Sequence, residues 1–404
     1  MKKTLVFALA VVLVVAFVMP ASAFESVFGG YWRTRWSQQA NWTGTKDESA
    51  IKNYDTRTRL YYTAKFSDDF SFVNKFEWNV TWGDAVGGDI GTDGMGIFRI
   101  KNSYADFRTG QFRHTVGLQG AVIARGFLFD DDFAGYVARF QPGTTADMLI
   151  PFAWIRAVDG GSRGGTSQDD VNTWAAWPFF PIGDAMVLNP YFVYQQSNGG
   201  QGVGAENRPM WLGVDFDWKA DAFGLWASGI ANFGSASSTS DYSGYLLAAG
   251  VDFNLGAIGL WVDGIYATGE DSSADTAAFT PPAGASYYWA EILGYGIFDQ
   301  AGPGVKSASN QITDLMTIGV GADWKLGDKF KLSTDIWYAM LAEDDAFGKN
   351  GLGTEIDVIL TWALVENLNV DVVAAYLLAD DALFGTGVAD EDPYEVGARM
   401  SFSF

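Results

Sequence analysis

Apolar and polar residues alternate along most of this chain with a period of two. Near its end Tyr394, Val396, Ala398, Met400, Phe402 and Phe404 take every second position, with Glu395, Gly397, Arg399, Ser401 and Ser403 between them. An extended strand points successive side chains to opposite faces, so each set lines one face. The pattern recurs upstream. Leu368, Val370, Val372, Ala374 and Tyr376 share a face, and Ile356, Val358, Leu360 and Trp362 oppose Glu355, Asp357 and Thr361. Ile318, Val320, Ala322 and Trp324 oppose Gly319, Gly321 and Asp323, and Leu212, Val214, Phe216 and Trp218 oppose Gly213, Asp215 and Asp217. Each run has about 9–12 residues, the length a tilted strand needs to cross the hydrocarbon of a bilayer.

The links between runs alternate in length. Short ones fall at Ser67–Asp69, Arg108–Gly110, Pro142–Gly143, Gly183–Asp184, Ala220–Asp221, Gly256–Ala257, Gly327–Asp328 and Glu366–Asn367. Long ones, rich in Gly, Ser, Asp and Asn, cover roughly 41–53, 83–97, 124–134, 159–171, 198–209, 235–241, 270–314, 343–353 and 380–392. Short periplasmic turns and long extracellular loops characterise transmembrane barrels. The expected fold is all-β: a transmembrane antiparallel β-barrel of 18 strands, or of 16 if Gly135–Phe140 belongs to the loop before it. A bilayer leaves no strand edge unsatisfied. The last strand must therefore pair with the first, Tyr31–Ser37, which brings Arg399 near Arg33 and Arg35.

The first 23 residues break the pattern. Lys2 and Lys3, the apolar run Leu5–Val18 and the small residues Ala21-Ser22-Ala23 have the layout of a secretory signal peptide cleaved after Ala23, which leaves a barrel domain of 24–404. No run of 18 apolar residues follows, so no membrane helix is expected. With 16 Trp, 17 Tyr, 30 Phe, 48 Gly and no Cys, the chain suits a barrel with one lipid face and one wet face, and it has no thiolate chemistry.

Charge adds a second layer. The chain is strongly acidic, with 48 Asp and Glu against 26 Lys and Arg, which argues against nucleic acid as a partner. Yet 11 of the 13 Arg lie within 24–163. Arg33 and Arg35, Arg57 and Arg59, Arg99 with Lys101, and Arg113 recur at strand spacing. A charge on the lipid face costs about 2–4 kcal/mol at mid-bilayer, so these rows must face the lumen as a basic ladder. The third long loop, Phe127-Leu128-Phe129-Asp130-Asp131-Asp132-Phe133, is too apolar for water. It is expected to fold inward and set Asp130, Asp131 and Asp132 across from the arginines as a constriction. A solvated acidic turn or a Ca2+ cluster are the alternatives for those acids; no other cofactor is expected. The lone His114 sits with Val116 and Leu118 on the face opposite Arg113, so it reads as an interfacial residue and not as a catalytic base.

Together these features resemble the trimeric diffusion porins of the Gram-negative outer membrane, most closely the homotrimeric porins of sulfate-reducing Desulfovibrio-type bacteria. The resemblance implies passive diffusion of small hydrophilic solutes and ions, contact with outer-membrane lipid and a homotrimer. It also implies insertion by the barrel-assembly machinery reading the last strand through Tyr394, Met400, Phe402 and Phe404. The acidic loops predict a modest cation preference, which the ladder opposes locally. Two rivals remain: a substrate-specific porin for sugars or carboxylates, with Trp226, Trp261 and Trp337 as a lumen slide, and an adhesive barrel whose loop 270–314 binds a partner.

Overall fold

The computed structural model describes residues 24–45, 49–83, 97–143, 148–159, 170–197, 207–271, 275–304, 310–385 and 391–404. The expected signal peptide, 1–23, lies outside them. All strands belong to one sheet. They run β1 (Glu25–Ala40), β2 (Ile51–Ser67), β3 (Phe70–Thr81), β4 (Ile97–Thr109), β5 (Phe112–Ile123), β6 (Phe129–Phe140), β7 (Ile150–Val158), β8 (Val171–Ala176), β9 (Phe180–Ile182) and β10 (Met186–Ser197). Then follow β11 (Arg208–Lys219), β12 (Phe223–Ser235), β13 (Asp241–Tyr242), β14 (Tyr245–Asn254), β15 (Ile258–Ala267), β16 (Leu315–Lys325), β17 (Phe330–Met340), β18 (Gly351–Val365), β19 (Leu368–Ala379) and β20 (Tyr394–Ser403). β8 and β9 lie end to end against β10, and β13 only extends the end of β12. The wall therefore has 18 strand positions, and β6 is a full strand rather than the short one that left 16 open.

Closure is antiparallel between β1 and β20, from Tyr31 opposite Ser403 to Ala40 opposite Tyr394, so no edge is left unpaired. Arg35 stands directly opposite Arg399. The alternation sorts the faces as the sequence predicts: Ile318, Val320, Leu247 and Val372 are exposed on the outside of the barrel. Beside the short turns the outer rings pair up, Phe66 with Phe70, Phe112 with Phe140, Phe223 with Phe253 and Phe330 with Trp362, as an aromatic girdle does at a membrane interface.

The third long link differs from expectation. It spans only Ala124–Leu128, because Phe129–Ala134 are paired strand. That strand nevertheless leaves the wall. β4 pairs with β5 only as far as Ser103–Leu118, and β6 with β7 only as far as Gly135–Ile155. Above the facing pair Gly117–Gly135, beyond Leu118 and Gly135, the hairpin's ladder bonds join only its own two strands, and neither pairs with a neighbouring wall strand. Both glycines are needed there. Gly117 has φ +127°, and a Cβ would fall 2.3 Å from Ser103 O; at Gly135 it would fall 2.2 Å from Trp154 O.

The hairpin crosses the interior. At its tip Arg125 pairs with Asp217 on β11 and stacks 4.8 Å over the Trp226 ring on β12. Phe127 stacks on Tyr287 with ring centroids 4.0 Å apart, and Asp130 N donates to Gly284 O at 2.8 Å. Tyr287 and Gly284 belong to the long link 268–314, whose residues around them also pack inside. Phe279, Ile292, Leu293 and Ile312 are buried with Phe127 and Leu128, so the hydrophobic core sits within the barrel against β7 to β19.

Candidate pore lining

The basic ladder follows from strand register. Arg33 faces Arg57 across β1–β2, Arg59 faces Glu77 across β2–β3, and Glu77 faces Arg99 across β3–β4. Two carboxylates hold these cations. Glu77 lies 2.7 Å from Arg59, 3.1 Å from Arg99 and 3.7 Å from Arg57. Asp299, from the 268–314 segment, lies 2.8 Å from Arg33, 3.4 Å from Arg35 and 3.7 Å from Arg57. Arg35 also donates to Phe298 O and bonds Asp55 at 2.6 Å. Arg113 is bidentate on Asp106, and Arg399 is held by Asp371 at 2.9 Å.

Of the predicted acids, Asp132 bonds Lys101 and accepts from Asn102 Nδ2 at 2.8 Å. Asp130 and Asp131 line the same cavity. The structure thus brings the acids of the third link to Lys101, and Arg33, Arg35 and Arg57 instead meet Asp299, which the sequence reading missed. A signal for it existed. The stretch 285–298 carries Tyr287, Tyr288, Trp289, Ile292, Leu293, Tyr295 and Phe298. It is as unsuited to water as the third loop, and the same reasoning predicts that it folds inward.

Two cavities remain open on the ladder side. One of about 850 Å³ is lined by Arg59, Lys75, Lys101, Tyr104, Arg113, Asp130–Asp132, Arg139 and Tyr288. The other, of about 650 Å³, is lined by Tyr31, Arg33, Arg57, Arg59, Tyr61, Tyr288, Tyr295 and Asp299. They share Arg59 and Tyr288, which makes one path between wall and inward segments. Burial raises the Tyr295 hydroxyl, so it stays a neutral donor. Lys75 sits 5.2 Å over the Tyr61 ring, and Arg139 donates to Thr115 Oγ1 at 3.0 Å. Among the described residues neither forms a salt bridge. Their nearest acids, Asp132 and Asp106, are engaged by Lys101 and Arg113.

The three tryptophans of the sugar slide lie against the opposite wall. Trp337 is covered by Trp289 and Trp226 by Arg125. His114 sits beside the Gly110 turn, bonded to Thr109 Oγ1 at 2.6 Å and Tyr136 OH at 2.7 Å, and stacked on Phe107. At the closing strand Phe402 packs on Trp32 and on Phe404, whose carbonyl accepts from Gly30 N at 2.8 Å. Tyr394 and Met400 pair with Ala40 and Thr34.

No known protein-family profile matches the chain, and no curated protein matches it. Its fold does match solved structures. OccK5 (OpdH) of Pseudomonas aeruginosa superposes with a TM-score of 0.62 at 13% identity, over 94% of this chain and 98% of that one. OpdK of P. aeruginosa, solved with vanillate, gives 0.61 at 12% identity over 94% and 98%. OccK2 (OpdF) of P. aeruginosa, in complex with glucuronate, gives 0.62 at 11% over 94% and 98%. OpdK is an outer membrane protein. At these identities the likeness shows a shared barrel fold.

Proposed function

We propose that the chain is an outer-membrane porin that passes small carboxylate-bearing solutes by diffusion along the basic ladder. The observation that carries this reading is the path itself, where Lys75 and Arg139 face water without a salt-bridge partner among the described residues. A fixed cation with no internal counter-ion is where a passing anion gains most, and tyrosine hydroxyls add donors beside it. Vanillate in OpdK and glucuronate in OccK2 are both carboxylates, which supports the same chemistry in a similar barrel. The path is lined by seven cations and five carboxylates, so its local balance is basic although the whole chain is acidic. Local charge governs selectivity where the pore is narrow. We therefore set the cation preference expected from overall charge aside in favour of anion preference.

The inward hairpin and the described part of the 268–314 segment both narrow this path, and the burial of Phe279, Ile292 and Leu293 inside the barrel speaks against an adhesive role for that loop. The homotrimer stays part of the proposal. The outer face of β12 carries Gly229 and Ala231, small enough for close approach of a second barrel. The test is reversal potential and solute block in planar bilayers with acetate, benzoate and glucose. Expected are anion preference and saturable passage of the carboxylates, both lost in a double variant Lys75→Gln, Arg139→Gln. Cation selectivity, or glucose competing as well as benzoate, overturns it.

A further inference from the structure

The middle of the 268–314 segment is seated on carboxylates rather than cations. Ile292 N and Leu293 N donate to Glu355 at 2.5 and 2.9 Å, and Glu291 N donates to Asp357 at 3.2 Å. Glu291 itself accepts from Ile297 N at 2.9 Å, which closes a compact turn. Gly296 stands so close that a Cβ there would lie 2.7 Å from Glu291 Oε2. Trp289 completes the seat edge-on to Trp337, with centroids 5.1 Å apart.

The groups facing Glu291 are mostly acids: Glu355 and Asp357 on β18, Asp335 on β17 and Glu395 on β20. The nearest cations are committed elsewhere, Arg399 on β20 to Asp371 on β19 and Arg35 on β1 to Asp55 and Asp299. Glu395 takes one bond, from Gln39 Nε2 at 2.5 Å. One oxygen each of Asp357 and Glu395 is buried without a hydrogen-bond partner. Adding a further negative charge to such a site is unfavourable, because burial weakens solvation and leaves repulsion unscreened.

We propose that this seat is a proton-operated latch on the passage. With Glu291 protonated the segment stays folded against β17 and β18 and narrows the path; with Glu291 ionised the seat loosens and the path widens. Burial pushes the Glu291 carboxyl up to about 7; the Ile297 N–H bond opposes the rise, and Glu355 and Asp335 add to it. A released Glu291 returns to its ordinary value of 4.5. The seated form thus holds the proton more tightly. The seat is at full strength below the lower value, weakens as pH rises between the two and is weakest above the upper one. The shift in the seating equilibrium across that window is about 300-fold.

The latch rests on the barrel being a channel, so the test has two readouts: single-channel conductance, and near-ultraviolet circular dichroism of the Trp289–Trp337 pair in the purified protein. Both are followed from about pH 5 to about pH 8. Expected are higher conductance at the alkaline end and a dichroism change centred between 4.5 and about 7. Glu291→Gln should hold the narrow form throughout. A second lock covers poor folding of that variant. Gln300 Nε2 and Ser37 Oγ are 3.3 Å apart, and the chain has no cysteine of its own. The pair Ser37→Cys, Gln300→Cys should suppress the response when oxidised and regain it when reduced. The latch is overturned by a flat dichroism profile, by a response undiminished in Glu291→Gln, or by a switch that follows Ca2+ and chelator at fixed pH. Titrating dichroism without conductance overturns the channel reading and upholds the latch. Conductance with flat dichroism does the reverse.

Discussion

Arg33 and Arg57 stand directly opposite one another across β1 and β2, a like-charge contact that by itself destabilises a sheet. Asp299 resolves it by reaching both, along with Arg35, from the segment that fills the lumen. One carboxylate therefore neutralises part of the ladder and fastens the segment to the wall. Asp299→Ala takes an acid from three cations; Arg35 keeps Asp55 and Arg57 keeps Glu77, but the deeply buried Arg33 is left with no salt bridge among the described residues. The expected cost is about 1–3 kcal/mol, read as a lower unfolding temperature in detergent, together with a stronger anion preference in reversal potentials. An unchanged unfolding temperature would show that the segment is held without it.

The β5–β6 hairpin shows how one element changes task along its length. Its lower half is barrel wall, and its upper half is an inward arm whose two strands pair only with each other. The glycine pair at 117 and 135 marks the change, because departure from the wall brings backbone carbonyls where side chains would stand. The arm ends in strain, with Ala124 at φ 54° and Arg125 at φ 56°, the left-handed region that non-glycine residues adopt only when other contacts impose it. Those contacts are the Arg125 ion pair with Asp217 and its stacking on Trp226. Gly117→Val adds strain of about 1–3 kcal/mol and a direct clash. We expect it to lower the unfolding temperature and to raise mean conductance by displacing the arm. Normal conductance and stability in that variant would mean that the arm tolerates a different exit from the wall.

At the scale of the molecule, closure makes the last strand structural twice over. β20 pairs with β1 on one side and β19 on the other, and the Gly30–Phe404 bonds finish the seam. Removing Phe404 takes away both those backbone bonds and the ring packed on Phe402. Assembled, heat-resistant protein in the outer membrane should fall several-fold, measured by band shift on unheated gels, whereas Ser403→Ala should leave it unchanged. The charge layout is also molecular in scale. The N-terminal strands carry the ladder, and the later wall carries acids such as Glu355, Asp357 and Asp371, so the lumen is polarised from side to side.

The strands, their number, both faces and the seam were legible from residue order, because the period of two and the thickness of a bilayer act on each segment separately. The ladder was legible for the same reason, since a charge at Arg33 or Arg59 has only one face to occupy. The inward fold of the third link was legible in Phe127 and Leu128, but its form was not. A run of three aspartates reads as loop, and pairing with Gly120 to Val122 makes it strand. What the tertiary structure alone decided is the path of 268–314 through the barrel. Asp299 meets Arg35 across 264 residues of sequence, and Glu291 is seated among acids from three distant strands. No local periodicity encodes such meetings, because they depend on where a long connection finds apolar surface to bury once the wall has closed around it.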